Sequence, residues 1–248
     1  MNTEQLEQNN INNLRNLFKT MGSTPFSHRE QKSFNISNSW PGRLWGAYDY
    51  TLSDTKVLIN KALSESNPYT ISLWDKKDES TSLSTKAMED NGFAVSFEQV
   101  AMVLDLKDYV NEVDNNKLDM KYVSSIEDVN TWVEIASSSF SHQINEDVIQ
   151  NISKDENVEL LLASIDGIAV GTALIFSHSD VAGIHLVGVP LENRGQGIAK
   201  SIMLETINFA QKKQIPFMTL QASTMGLGIY KRLGFKEQFV LKNYMKKQ

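Results

Sequence analysis

Apolar positions along the chain switch between helical and alternating spacing, and each switch predicts a new element. At the start, Leu6, Ile11, Leu14, Leu17 and Phe18 recur at roughly helical intervals inside an Asn- and Gln-rich stretch of about 30 residues, which suits a short helix packed on a neighbour. Beyond Trp40 the pattern predicts an aromatic stretch from Leu44 to Tyr50, a helix from Thr55 to Ser64, a strand from Tyr69 to Trp74 and a helix from Ser82 to Asn91. An apolar segment from Phe97 to Leu106 follows. The polar, turn-rich run Asn111 to Asp119 then divides the chain into halves at 1–118 and 119–248.

In the second half a short strand at Lys121 to Val123 precedes a helix from Ile126 to Ser137, with Val129, Trp132, Val133 and Ala136 on one face, and a second helix from Glu146 to Ile152. LLLAS and IAVGTALIF flank Asp166-Gly167, a pair that supplies the positive φ angles of a two-residue hairpin turn. A third strand, Ala182 to Val189, completes a meander that Pro190 interrupts. A glycine-bearing turn, a helix from Gly197 to Lys213, a strand from Phe217 to Gln221, a short helix from Leu227 to Leu233 stopped by Gly234, and a last strand from Phe239 to Met245 finish the chain. The expected class is α/β (α+β).

Composition removes several functions. With 248 residues, 41% of them hydrophobic, there is material for one large core or two small ones. No cysteine is present, so disulfides, thiolate metal sites and a cysteine nucleophile are excluded, and no metal is expected. The net charge of −6 argues against a nucleic-acid partner. No apolar run approaches the ~20 residues of a membrane span, and the start MNTEQLEQNN lacks a signal pattern, so a cytoplasmic protein without a membrane partner is expected. Charge is nevertheless segregated: Asp119 to Asn193 is net −10 and Arg194 to Gln248 is net +8. These blocks read either as solvated faces or as a site with a cationic wall for an anionic ligand and an anionic wall for a cationic partner.

Chemistry concentrates in the last third. Arg194-Gly195-Gln196-Gly197-Ile198-Ala199 lies between a strand and a helix start, where unpaired N–H groups and the helix dipole converge and glycines admit a ligand to the main chain. That is either a phosphate cradle or a plain turn. Lys200 occupies the third-glycine position of the dinucleotide fingerprint, and no GxxxxGK[ST] loop exists, so pyridine nucleotides and nucleoside triphosphates drop out. Leu220-Gln221-Ala222-Ser223 ends the next strand, and Tyr230-Lys231-Arg232-Leu233-Gly234-Phe235 follows. A helix C-cap accounts for Gly234 and Phe235; Tyr230 is either a buried structural tyrosine or a proton donor.

In order and spacing, the strand end Val187-Gly188-Val189-Pro190, the loop Arg194 to Ala199 as [Q/R]xxGx[G/A], the helix after it, and the closing Tyr230 to Phe235 resemble the GNAT superfamily of acyl-CoA-dependent N-acyltransferases. The likeness covers about Asp119 to the C-terminus and implies a mixed, mostly antiparallel twisted sheet flanked by helices. It implies that acetyl-CoA is the co-substrate, that the main chain at Val187 and Val189 pairs with the pantetheine arm, and that Gly188 marks the bulge splaying two strands. It further implies that Arg194, Gly195, Gln196, Gly197, Ile198 and Ala199 hold the pyrophosphate, with Ser223 and Tyr230 near the sulfur. An amine of ordinary pKa near ~10.4 must lose a proton before attack, and a departing thiolate near ~8.5 gains from a donor. Tyr230 is the expected donor. His185 is the candidate base, with His178, His142 and ordered water as rivals.

Gly92-Phe93 aligned with Gly234-Phe235 at an offset of 142 residues puts Met88 at the place of Tyr230, and nothing in 1–118 matches the loop. The first half reads either as a diverged GNAT-like copy without a coenzyme site or as an unrelated α/β domain. The run Trp40 to Trp45 is either core or a wall of an acceptor pocket facing Ser139 to Gln143. The expected function is acetyl transfer from acetyl-CoA to a primary amine of a small molecule or peptide, with a cationic acceptor suggested by the acidic block. A non-catalytic acyl-CoA binding or sensing protein is the alternative.

Overall fold

A computed structural model of the protein describes residues 1–247 except 30, 31, 38, 76, 77, 115 and 117, and except the side chains of 28 and 29. The first half runs α1 (Thr3–Thr20), β1 (Thr24–Arg29), β2 (Lys32–Ile36), β3 (Arg43–Trp45), α2 (Leu52–Ser64), β4 (Thr70–Asp75), α3 (Glu79–Asp90) and β5 (Phe93–Asp105). The second runs β6 (Asp119–Tyr122), α4 (Ile126–Phe140), α5 (Glu146–Ile152), β7 (Val158–Ile165), β8 (Ile168–His178) and β9 (Val181–Gly188). A 3-10 turn at Leu191–Asn193 then leads to α6 (Ile198–Lys212), β10 (Phe217–Ala222), α7 (Leu227–Arg232) and β11 (Lys236–Lys246).

Caps set the helix starts. Asn2 with Gln5 and Thr51 with Asp54 form reciprocal capping boxes, and Asp78, Ser125 and Asn145 each accept the N–H three residues on. Helices α2 and α3 therefore begin three residues before the positions expected from apolar spacing. Asp166 and Gly167 both have positive φ, 49° and 78°, as the hairpin between β7 and β8 requires. The β1–β2 hairpin was not foreseen: α1 stops at Thr20, and the short segments TPFSHR and KSFNI carry no alternation strong enough to announce a strand. Strand β5 starts at Phe93 rather than Phe97: Phe93 is buried, but Val95, Ser96, Phe97 and Glu98 are exposed on both faces and break the apolar pattern.

Among the described residues the strands form one sheet of eleven, in the order β1-β2-β3-β4-β11-β5-β10-β9-β8-β7-β6. The expected division at 118/119 is thus crossed by the sheet itself: β5, from the first half, sits antiparallel between β10 and β11 of the second. The exchange is reciprocal, since β11 in turn pairs with β4. Gln99 stands opposite Leu241, a pair separated by the same 142 residues as the two Gly-Phe stops. Met88 is fully buried in the core of the first half. The segment expected to link the halves lies along α6: Asn111 Nδ2 donates to Asn208 Oδ1 (2.6 Å) and Gln211 Oε1 (2.7 Å), and Glu112 pairs with Lys200 at 2.6 Å. No helix among the described residues is long and apolar enough to cross a membrane.

Helix α1 joins the two halves. Ile11 packs in the first-half core with Phe34, Leu58 and Tyr244, whereas Leu17, Phe18 and Met21 pack with Trp132 and Leu174 of the second. Its buried Asn10 donates to Met102 O (3.1 Å) and Gln238 Oε1 (2.6 Å) and accepts from Gln221 Nε2 (2.6 Å). Residues 119–248 expressed alone would lack β5, and with it Met102 and Leu104, which share a core with Met203, Met218, Leu220 and Phe235. That fragment is expected to show no cooperative thermal unfolding, and co-expression of 1–118 is expected to restore it. A fragment melting cooperatively near the Tm of the full chain would contradict the interlock.

Candidate active site

The site begins where two parallel strands part. Strand β9 pairs with β10 from Val181 and Phe217 as far as Ile184 and Leu220 and no further. Beyond that point β9 follows β8, which places Leu174 opposite His185 and Thr172 opposite Gly188, while β10 continues along β5. The register shift sets Leu186 and Val187 against Ala173 alone, and Leu186 takes φ +50° with its carbonyl held by Thr172 Oγ1 at 3.1 Å. The bulge is therefore at Leu186, not at the expected Gly188. Gly188 is small for another reason: a Cβ there would fall 2.8 Å from Ser139 Cβ and 3.0 Å from Thr172 Oγ1, so the glycine lets the end of α4 approach. Among the described residues, no strand pairs with the β10-facing edge of β9 beyond Ile184.

At the mouth of the gap stands the loop Arg194 to Ala199. Gly195 and Gly197 have φ of 81° and 80°, and Gly197 starts α6 with no side-chain cap, so the first N–H groups of that helix remain open to an anion. Gly195, Gln196 and Gly197 are exposed; Ile198 is buried among Leu161, Val170 and Ile202 and offers only its main chain, with Ala199 half-buried beside it. Arg194 straps the loop down: Nε donates to Val189 O (3.0 Å) and Nη2 to Ser139 O (2.9 Å). Of the main-chain groups expected to meet a pantetheine arm, the Val189 carbonyl is thus already engaged.

A cavity of about 210 Å³ runs from the gap under α1, lined by Val187, His185, Ser223 and Tyr230 together with Leu14, Phe18, Trp40, Arg43 and Phe140. Of the aromatic run from Trp40, Trp40 lines this cavity and Trp45 is core. Tyr230 lies one turn before the C-cap, where Gly234 (φ 87°) and the bond from Phe235 N to Tyr230 O (3.0 Å) close the helix. Its ring meets Phe235 edge-on at 6.0 Å, and a Cβ on Gly226 would come within 2.9 Å of Cε2. Burial pushes the Tyr230 phenol up to about 12, so it stays protonated at any working pH.

His185 is held from α1. Asn13 Nδ2 donates to Phe176 O (2.8 Å), which turns Asn13 Oδ1 toward His185 Nε2 at 3.2 Å. Nε2 is then the protonated nitrogen and Nδ1 carries the free lone pair. Burial pushes the imidazole down to about 3. It is a neutral hydrogen-bonding group, much weaker as a base than an unperturbed histidine. The rivals stand elsewhere: His142 is exposed with Nδ1 3.2 Å from Phe140 O, and His178 is exposed and stacked on Phe176. Sequence reasoning missed Asn13 and Gly183. The signal was present, since Asn10 and Asn13 interrupt the apolar face of a helix, where a polar residue needs a buried partner.

The acetyltransferase (GNAT) domain model matches residues 119–245. The chain belongs to the GNAT superfamily. Among solved structures, a GCN5-related N-acetyltransferase from Kribbella flavida superposes with a TM-score of 0.71 at 13% identity, covering 95% of this chain and 93% of that one. A functionally unknown conserved protein from Staphylococcus epidermidis gives 0.66 at 17% identity, covering 92% and 95%. A GCN5-related N-acetyltransferase from Sphaerobacter thermophilus gives 0.64 at 16%, covering 87% and 76%. These superpositions show a shared fold across both halves. No curated protein matches the chain significantly in sequence.

Two outcomes follow from the seating of His185. A Cβ on Gly183 would fall 1.8 Å from Asn13 Oδ1 and 2.6 Å from His185 Nε2, so Gly183→Ala should cost about 2–4 kcal/mol in urea unfolding. The unfolded chain protonates His185 as pH falls through its ordinary 6.5, and the folded chain resists until about 3, so this residue's contribution is full above 6.5 and is lost between 6.5 and 3. Between pH 7.5 and 5 the wild type should therefore lose more stability than His185→Gln. Equal losses would show that the imidazole is not desolvated.

Proposed function

We propose that the protein transfers an acetyl group from acetyl-CoA to the primary amine of a small acceptor by direct attack in a ternary complex. The observation that carries this reading is one cavity in which Tyr230, Ser223 and His185 meet at the parting of β9 from β10. The open N–H groups from Gly195 to Ala199 suit a pyrophosphate, and the free edge at Val187, with the Val189 N–H, suits an amide-bearing arm. Acetyl-CoA supplies the acetyl group already activated as a thioester. The reciprocal exchange of β5 and β11 supports reading residues 1–118 as a diverged copy that lacks the loop.

The chain's own groups then divide the work. The acceptor nitrogen forms a bond to the acyl carbon, the carbon–sulfur bond breaks, and the amine's surplus proton ends on the leaving sulfur. Tyr230, with its phenol near 12, donates a hydrogen bond to the developing thiolate; outright transfer to a thiolate of ordinary pKa ~8.5 would be uphill. His185 offers Nδ1 to an N–H of the attacking amine and orients it. Its basicity is too low to hold the proton of an alkylammonium, so the acceptor enters as the neutral amine.

Tyr230→Phe should lower kcat by ~10² or more while calorimetry shows acetyl-CoA affinity unchanged. Release of coenzyme A over a panel of primary amines tests the reading itself: release that depends on the amine and collapses in the variant supports it. Acetyl-CoA binding without release from any amine would leave the binding or sensing alternative. In the active enzyme, kcat/KM should climb about tenfold per pH unit below the acceptor's own pKa, without an inflection near 6.5. An inflection near 6.5 that His185→Gln abolishes would restore His185 as the base.

A further inference from the structure

One cation stands in the cavity wall without a counter-ion. Arg43, on β3, lines the cavity that also holds Tyr230 and His185. Its Nη1 donates to Asn243 Oδ1 (2.7 Å) and Ser72 Oγ (2.9 Å), both neutral, which anchors the stem to β11 and β4. Nε is buried without a partner, and among the described residues Nη2 makes no hydrogen bond and no carboxylate stands within ion-pair distance. The guanidinium lies over the rings of Phe18 at 5.5 Å and Phe97 at 5.6 Å. Aromatic faces on either side hold the group in place but do not neutralise it.

A buried charge without an ionic partner is expensive to maintain. With Nε enclosed by the protein, Nη2 is the donor left for a ligand, and it would receive a carboxylate oxygen through a charge-assisted N–H···O bond. Desolvation lowers Arg43 to about 10, which leaves it fully charged at neutral pH. The rest of the lining is mainly apolar, from Leu14, Phe18, Trp40, Phe140 and Leu186, with Gln99, Gln221 and Ser223 as its neutral polar groups, and among the described residues it includes no Asp or Glu. The volume of about 210 Å³ is below the ~300–1,000 Å³ of pockets that take drug-sized ligands, which favours an acceptor of amino-acid size. The block from Asp119 to Asn193 therefore lends this cavity Phe140 and Ile184 to Val187 but, among the described residues, none of its carboxylates, and the charge that faces the acceptor is positive.

We infer that Arg43 binds the carboxylate of the acceptor, so that the acceptor is a small amino acid with an apolar side chain. The inference rests on the acetyltransferase reading only for the fate of the amine; the carboxylate site stands on the cavity itself. Binding is tested apart from turnover, by calorimetry on the full chain saturated with coenzyme A. The probes are leucine, methionine and phenylalanine, each beside its amide and its decarboxylated amine. At least one amino acid should bind ~10- to 100-fold more tightly than its amide, the range expected of a charge-assisted pair. Arg43→Gln should abolish that preference, and Arg43→Lys should retain part of it, with coenzyme A affinity intact in both. Equal affinity for acid and amide in the wild type, or binding of neither, overturns the inference even if Arg43→Gln fails to fold. An amino acid that binds selectively yet is never acetylated would sink the catalytic reading and leave the carboxylate site standing. Acetylation of amides and simple amines without preference would do the reverse.

Discussion

Everything at the site depends on β9 leaving β10 after Ile184 while each strand keeps its other neighbour. A pair of parallel strands would ordinarily continue to bond, because unpaired main-chain groups are costly when buried. Here β8 carries β9 away through the bulge at Leu186, and β5 holds β10 straight through Gln221 and Ala222. The gap is therefore held open by pairing on both outer sides. That explains why a strand from the first half of the chain belongs inside the second: without β5, β10 would have no reason to stay behind. Helix α1 covers the gap, fixed by Asn13 to His185 over the bare backbone of Gly183.

Charge is arranged around this opening in a way the residue count alone does not convey. Several cations of the basic C-terminal block are held in ion pairs away from the cavity, Lys200 with Glu112, Lys231 with Glu237 and Lys242 with Asp75. Arg194 commits two of its nitrogens to main-chain carbonyls. What remains for an anion at the loop is the set of open N–H groups of α6, whose strength lies in their fixed direction. A protonated phenol and a neutral imidazole share the cavity lining with Arg43, which among the described residues is its only formal charge. A low-dielectric site so composed discriminates by hydrogen-bond direction and by one electrostatic contact.

The elements around the loop were legible because local chemistry announces them: Asp166-Gly167 forces a hairpin, two glycines force the turn before α6, and Gly234 stops α7. Tyr230 followed from its place one turn before that stop. The bulge was misplaced because a glycine is the usual tenant of a positive φ, whereas here Leu186 is forced into it by the ladder to β8 and the bond from Thr172. The exchange of β5 and β11 is a matter of non-local pairing, which no local pattern encodes. Arg43 was visible only as part of an aromatic run; its importance comes from what is missing around it, and a missing partner becomes visible only in three dimensions.

The central claim is that the parted edge of β9 and the open start of α6 form a single ligand-binding track. Hydrogen–deuterium exchange on the free protein and on the protein saturated with acetyl-CoA reads both at once. The amides of 187 and 189 and of 195–199 should exchange rapidly in the free protein and become protected together on binding, while those of 181–184, paired with β10, stay protected throughout. Protection of one stretch without the other, or slow exchange at 187 and 189 before any ligand is added, would contradict the account.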